Sequence, residues 1–192
     1  MKFKDFLFES LSYTQEMEKY FKKRTNKHIQ LVQKYGNLLA EKFNIKGLKE
    51  RIKYHDQSKF QNIEKIPYIF ITWDYHCKDL GKNFKLSQNI KNKMNSATLH
   101  HIKNNSHHPE YFDKNSEINK ENRDKKPNKI VNATKMKDLD IAEMVADWLA
   151  MGEERGNTAK SWADKNINVR WKFTDNQKNL IYKYIKGIEN EI

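Results

Sequence analysis

Apolar residues recur along this chain at helical rather than alternating intervals. Between Lys27 and Phe43 they fall at Leu31, Val32, Tyr35, Leu38 and Leu39, the stripe of an amphipathic helix. His28 lies on that stripe. Gly47 ends the pattern, and a short second helix follows with Leu48, Ile52 and His55 at i, i+4 and i+7. Both histidines therefore occupy core-facing positions, where an unpartnered polar group costs stability. Pro67 interrupts a third segment, PYIFITW, which has strand propensity but reads in context as helix or irregular structure. Ser87 to Asn104 is polar but helix-compatible, and it stops before Pro109, which disfavours an α conformation at His108. Residues 113–133 nearly lack apolar side chains, so an exposed loop is expected there. Helical spacing resumes with Leu139, Met144, Val145, Trp148 and Leu149. Thr174 and Gln177 then form a capping box that opens a last helix at about 175–190, with Leu180, Ile181, Tyr184, Ile185 and Ile188 as its buried stripe.

Composition supports an all-α reading. Six glycines and three prolines in 192 residues are too few for a turn-rich β architecture. The length fits one domain over 1–192, a single helical bundle with a real core. No apolar run approaches the roughly 18 residues of a membrane span. The opening MKFKDFLFES has acidic residues in its apolar stretch and no small-residue cleavage site, so no signal peptide is expected. The single cysteine, Cys77, excludes an internal disulfide and suits a reducing cytoplasm, the expected location. The net charge of +12 comes mostly from scattered lysine. That diffuse field favours a small phosphorylated partner, with nucleic acid behind it and no membrane. No basic stretch is interleaved with aromatics as a single-strand binder requires. Trp148, Trp162 and Trp171 read as core, and His76-Cys77 has no partner at a telling distance.

Six of the seven histidines fall into three places. These are His28, His55, and the run LHHIKNNSHHPEY with His100, His101, His107 and His108. Asp56 adjoins the second place. Further on, DLDIAEMVADW aligns Asp140, Glu143 and Asp147 at i, i+3 and i+7, three carboxylates on one face beside the apolar stripe. Like charges stacked near a core need compensation from a divalent metal or a basic cluster. Imidazole plus carboxylate is a donor set for Mn, Fe, Co, Ni, Zn or Mg, and without cysteine thiolates it does not suit a structural zinc knot. Not all four clustered histidines can be ligands. His101 and His108 share a face if the helix persists, as do His100 and His107. We take His101 and His108 first, with His107 as a further ligand or phosphate contact and Glu110 as a partner that orients an imidazole. Asn104 and Asn105 read as a helix end. Asp147 or Asp140 closes the site, Asp147 preferred for its buried register before Trp148, and Glu143 lies between them.

His28, then His55-Asp56, then an aspartate on a later helix resembles the H…HD…D signature of the HD-domain superfamily of metal-dependent phosphohydrolases. YHDQSKF is similar to its L-H-D-x-x-K stretch, and HHIKNNSHHPEYF resembles the added histidines of its two-metal branches. HHPEY with EMVADW also resembles a family of short phage and bacterial HD-like proteins. The resemblance covers residues 25–150 or so. It implies an HD-type bundle that holds one or two divalent ions and hydrolyses a nucleotide or another small phosphorylated metabolite. It implies His28, His55, Asp56 and Asp147 around one ion, and His101 and His108 around a second bridged by Asp56. Asp56 and Lys59 would carry the chemistry, Lys59 as the phosphate-contacting lysine. HD nucleotidases often carry a glutamate shortly after the pair, where this chain has Gln57, Ser58 and Lys59. The G-Y-P portion of the cyclic-dinucleotide phosphodiesterases is missing. Two other expectations stay open: a diiron oxygenase of the same superfamily, using the same ligand types, and a noncatalytic basic module that binds nucleic acid.

Overall fold

The computed structural model describes residues 13–116, 118, 120–122, 125 and 127–189. The MKFKDFLFES segment lies outside the described residues, as do the last residue expected in the final helix and parts of the 113–133 segment. Seven α-helices and one two-stranded parallel sheet make up the described chain, an all-α bundle. None of these helices is long and apolar enough to cross a membrane.

The first helix, α1 (Gln15–Lys42), starts well before the expected Lys27. Thr14 caps it, its Oγ1 accepting from the Met17 amide at 3.2 Å. Met17, Phe21, Thr25, His28, Val32, Tyr35 and Leu39 are its buried stripe, so His28 belongs to one continuous helical face. Gly47, at φ 82°, starts α2 (Leu48–Ile52). Gly36 lets α1 and α2 approach, because a Cβ there would meet Ile52 Cδ1 and Cγ2 at 2.7 Å. That close approach brings the end of α2 towards His28.

After α2 comes His55-Asp56. Two successive helical residues point about 100° apart, but Asp56 adopts the left-handed conformation at φ 58°. Both side chains are buried as a result. A 3₁₀ turn, Gln57–Phe60, leads into α3 (Asn62–Asp79). Pro67 lies inside α3 and does not interrupt it. It sits near the helix start, and the carbonyl it orphans belongs to the exposed Ile63. Next, α4 (Gln88–Asn104) is capped by Ser87 and ends at Asn105, as the asparagine pair suggested. A second 3₁₀ turn, Pro109–Phe112, follows.

The 113–133 segment is not simply an exposed loop. Ile118, Val131 and Ala133 are buried in the main core. Strand β1 (Val131–Asn132) pairs in parallel with β2 (Trp171–Lys172), Val131 opposite Trp171. These three apolar side chains anchor the segment, and the Val131 and Ala133 amides are satisfied by the partner strand, donating to Arg170 O at 2.9 Å and Lys172 O at 3.0 Å. The remaining helices are α5 (Asp138–Arg155), α6 (Ala159–Asn166) and α7 (Asp175–Glu189). The α7 capping box forms as read: Gln177 N donates to Thr174 Oγ1, and Thr174 N to Gln177 Oε1.

Two apolar clusters divide the interior. One joins the start of α1 to α3 and α4; the other joins the rest of α1 to α5 and α7. On α1, His28 stands between Phe21 of the first and Val32 of the second. On α4, His101 stands between Ala97 and Ile102 in the same way. A buried polar centre occupies that seam.

Candidate metal centre

Asp56 is at the middle of the seam, and its two carboxylate oxygens face different histidines. Oδ2 lies 3.7 Å from both His28 Nε2 and His55 Nε2. Oδ1 lies 3.0 Å from His101 Nε2 and 3.9 Å from His107 Nε2. Asp147, from α5, reaches His28 Nε2 at 3.1 Å. Two groups of donor atoms result, each within 4.8 Å: His28, His55 and Asp147 on one side, His101, His107 and His108 on the other. His55, Asp56 and His101 are each 2% exposed.

The far edges of the imidazoles face a second set of carboxylates. His55 Nδ1 donates to Glu143 Oε1 at 2.9 Å, and His107 Nδ1 lies 3.4 Å from the same oxygen. His101 Nδ1 donates to Glu64 Oε2 at 2.9 Å, and His28 Nδ1 lies 3.6 Å from Glu154 Oε2. Burial works against ionising Glu143 and Glu64, but the imidazoles beside them prevail and hold both pKa values below the usual carboxylate range. A carboxylate can only accept, so the Nδ1 of His55, His101 and His107 carries the proton and the Nε2 of each is left to offer a lone pair, whereas His28 Nε2 faces the Asp147 carboxylate. This arrangement of carboxylate, imidazole and open Nε2 is how proteins orient metal-ligating histidine.

Four of the inward-facing atoms find no partner among the described residues. His55 Nε2, His101 Nε2, His107 Nε2 and Asp56 Oδ1 are buried without a hydrogen-bond partner; the 3.0 Å approach of His101 to Asp56 is out of hydrogen-bond alignment. Orphaned buried polar atoms cost about 1–3 kcal/mol each, so four gathered around Asp56 call for a cation. The donor set fits one. Burial disfavours ionising Asp56 and Asp147, yet Lys59, His55 and His101 around Asp56, and His28 around Asp147, keep both carboxyls deprotonated far below neutral pH. Burial likewise opposes charge on His28, but Asp147 and Glu154 override it and raise its pKa to about 9. In the metal-free protein a proton on His28 stands in for positive charge that the centre lacks.

The remaining sequence candidates separate by place. Lys59 ion-pairs with Asp56 Oδ2. His107 and His108 both join His101, because α4 ends at Asn104 and the following turn frees them from helical phase. His100 is on the rim, donating to Glu64 Oε1 at 2.7 Å. Asp140 and Glu143 answer to a basic cluster instead: Arg51 binds both, and Ser106 Oγ donates to Asp140 at 2.9 Å. Glu143 also belongs to a third close group with His55 and His107, but it meets their Nδ1 edges, away from Asp56. Glu110 accepts from Trp171 Nε1 at 2.9 Å, so that oxygen meets an indole. Trp162 is 37% exposed and is not core as expected.

Sequence reasoning missed Glu64, Glu154 and Arg51. Glu154 had a signal, seven residues beyond Asp147 on the same face of α5. Glu64 had none within the HD stretch, since α3 folds back to bring it under His101. The centre opens into a cavity of about 340 Å³, bordered also by Arg24, Lys59, Trp148 and Arg155.

No curated protein and no solved structure matches the chain. One family model matches nearly all of it, residues 17–188. The chain that builds this centre belongs to that family, the family of unknown function DUF5662.

Proposed function

We propose that this protein is a metal-dependent phosphohydrolase of the HD type, acting on a nucleotide or another small phosphorylated metabolite. The observation that carries the reading is the convergence of buried, unpartnered Nε2 atoms on Asp56 while carboxylates hold the opposite ring edges. His28, His55, Asp56 and Asp147 would hold one divalent ion; Asp56, His101, His107 and His108 would hold a second. Imidazole-rich sets favour Mn, Fe, Co, Ni or Zn over Mg. A divalent ion there supplies Lewis acidity, acidifying water and offsetting charge on a phosphoryl group.

The chain's own residues do the rest. Asp56 is fixed by Lys59 and divides its oxygens between the two halves of the centre. Lys59 and Arg24 border the cavity and offset phosphate charge. Glu64 and Glu143 hold the imidazoles of His101 and His55 in the tautomer that leaves Nε2 open, and Glu154 adds negative charge beside His28. In the net reaction water adds to phosphorus, the ester P–O bond breaks, and the alcohol departs with a proton.

Elemental analysis of protein purified without chelator, followed by a nucleotide panel with Mn, Co, Fe and Mg, tests this. One to two equivalents of metal and hydrolysis are expected, and His55→Ala or Asp56→Ala should remove both. Full activity in a metal-free Asp56→Ala protein would sink the proposal. The three-imidazole group at His101, His107 and His108 favours one other reading, a diiron oxygenase. Iron content with oxygen uptake, and no hydrolysis, would favour it instead.

A further inference from the structure

The cavity continues well past the metal centre along α5. Asp147, Trp148, Met151 and Arg155 all border it, and the eight residues from Asp147 to Arg155 span about 12 Å of helix. Ile71, Ile102, Ile118 and Met151 supply its apolar walls. Its far end is cationic.

Arg155 marks that end, and two further cations, Lys165 and Arg170, line the cavity. Arg170 is only 7% exposed. Its guanidinium lies 4.9 Å from the Trp171 ring centre and 5.8 Å from that of Trp162, and its Nη1 donates to Asn166 Oδ1 at 3.2 Å. Trp171 is itself fixed, stacked on Trp148 at 5.5 Å and 18° and donating to Glu110. Glu110, the carboxylate of this region, is thereby engaged. An oriented, largely desolvated guanidinium on a cavity wall is suited to bidentate recognition of phosphate or carboxylate. Arg155 and Lys165 add charge that no described residue pairs, whereas Arg24 and Lys59 are ion-paired, with Glu154 and Asp56.

We infer that the cavity wall carrying Arg155, Lys165 and Arg170 is a second anion subsite, so that the substrate is a phosphate ester carrying another anionic group about two turns of α5 further along the cavity. The inference rests on the phosphohydrolase reading and narrows it to bis-anionic small molecules with an uncharged middle. A cavity of about 340 Å³ holds one such molecule.

Calorimetric titration of manganese-incubated protein with three probes tests the subsite. The probes are hexyl phosphate, hexanediol bisphosphate and phosphooxyhexanoate. Both bis-anions should bind at least about tenfold more tightly than hexyl phosphate, and the order between them identifies the second group as phosphate or carboxylate. An Arg155→Ala/Lys165→Ala double variant should lose that advantage and still bind hexyl phosphate as before. A Lys91→Ala/Lys93→Ala variant, altered on the exposed face of α4, should retain it. Equal affinity for all three probes, no binding of any, or equal loss in the control variant would overturn the subsite. Failure of the hydrolase reading shows separately, as absence of metal and of hexyl phosphate hydrolysis, while the preference for bis-anions is still read from binding alone.

Discussion

One face of α5 uses the same residue type in two ways. Near its start, Asp140 and Glu143 are bound by Arg51. Further along, Asp147 and Glu154 flank His28. A guanidinium is permanently charged and has no lone pair to offer, so the first pair is clamped and closed to a metal. An imidazole can lose its proton, so the second pair can receive a cation. Glu143 stands at the boundary, held by Arg51 on one side and facing His55 and His107 on the other. Carboxylate spacing therefore marks a face that needs positive charge; the partner decides whether that charge is a clamp or a metal.

Changes at the two ends should differ in kind. At the open end, Asp147→Asn is expected to lower metal affinity and turnover beyond the ~10–100-fold typical of an orienting residue, with the metal-free protein still folded. Retained stoichiometric metal in that variant would erase the distinction. At the closed end, Arg51→Ala should destabilise by about 3 kcal/mol, read from the denaturant midpoint, because it leaves two buried carboxylates without their cation. Arg51 is a quarter exposed (25%), which puts the loss at the low end for a buried pair. An unchanged midpoint would mean that water replaces the clamp.

Glu143→Gln should show both behaviours, with metal affinity reduced ~10–100-fold and a smaller stability loss. The effect of pH follows from His28, whose metal-free pKa is raised to about 9 by Asp147 and Glu154 against burial. A raised pKa means that this ion pair's stabilisation is complete below the unfolded value of about 6.5 and fades as pH rises through about 9. Metal needs the neutral imidazole, so its uptake should release protons and strengthen as pH climbs towards about 9. Competitive titration that shows no dependence across that range would place His28 outside the ligand set. The smallest change is Asp140→Asn, about 1 kcal/mol, with metal content unaltered, since the remaining oxygen can still accept from Arg51 and Ser106 and only the Lys137 amide loses its acceptor.

Local periodicity made much of this legible. His28 and His55 were visible as polar residues on apolar stripes, and Asp147 as a carboxylate in a buried register, because a helical face is written at fixed intervals in sequence. The Thr174–Gln177 cap was legible for the same reason, a bond between residues three apart. The histidine run was only half legible. Helical phase paired His101 with His108, but the turn after Asn104 brings His107 in beside them.

Glu64, Arg51 and the far cationic end of the cavity depend on contacts between distant segments, which no local interval records. So does the 113–133 segment, where three apolar side chains among many polar ones suffice to dock it onto the core. Residue types and their helical phase settled that this chain is an α-helical bundle with imidazole and carboxylate on inward faces. Only the packing of α1, α3, α4 and α5 around Asp56 decided which nitrogens face inward and which carboxylates orient them. It decided as well which acidic pair is closed by a guanidinium, because those choices are made by side chains meeting across helices rather than along one.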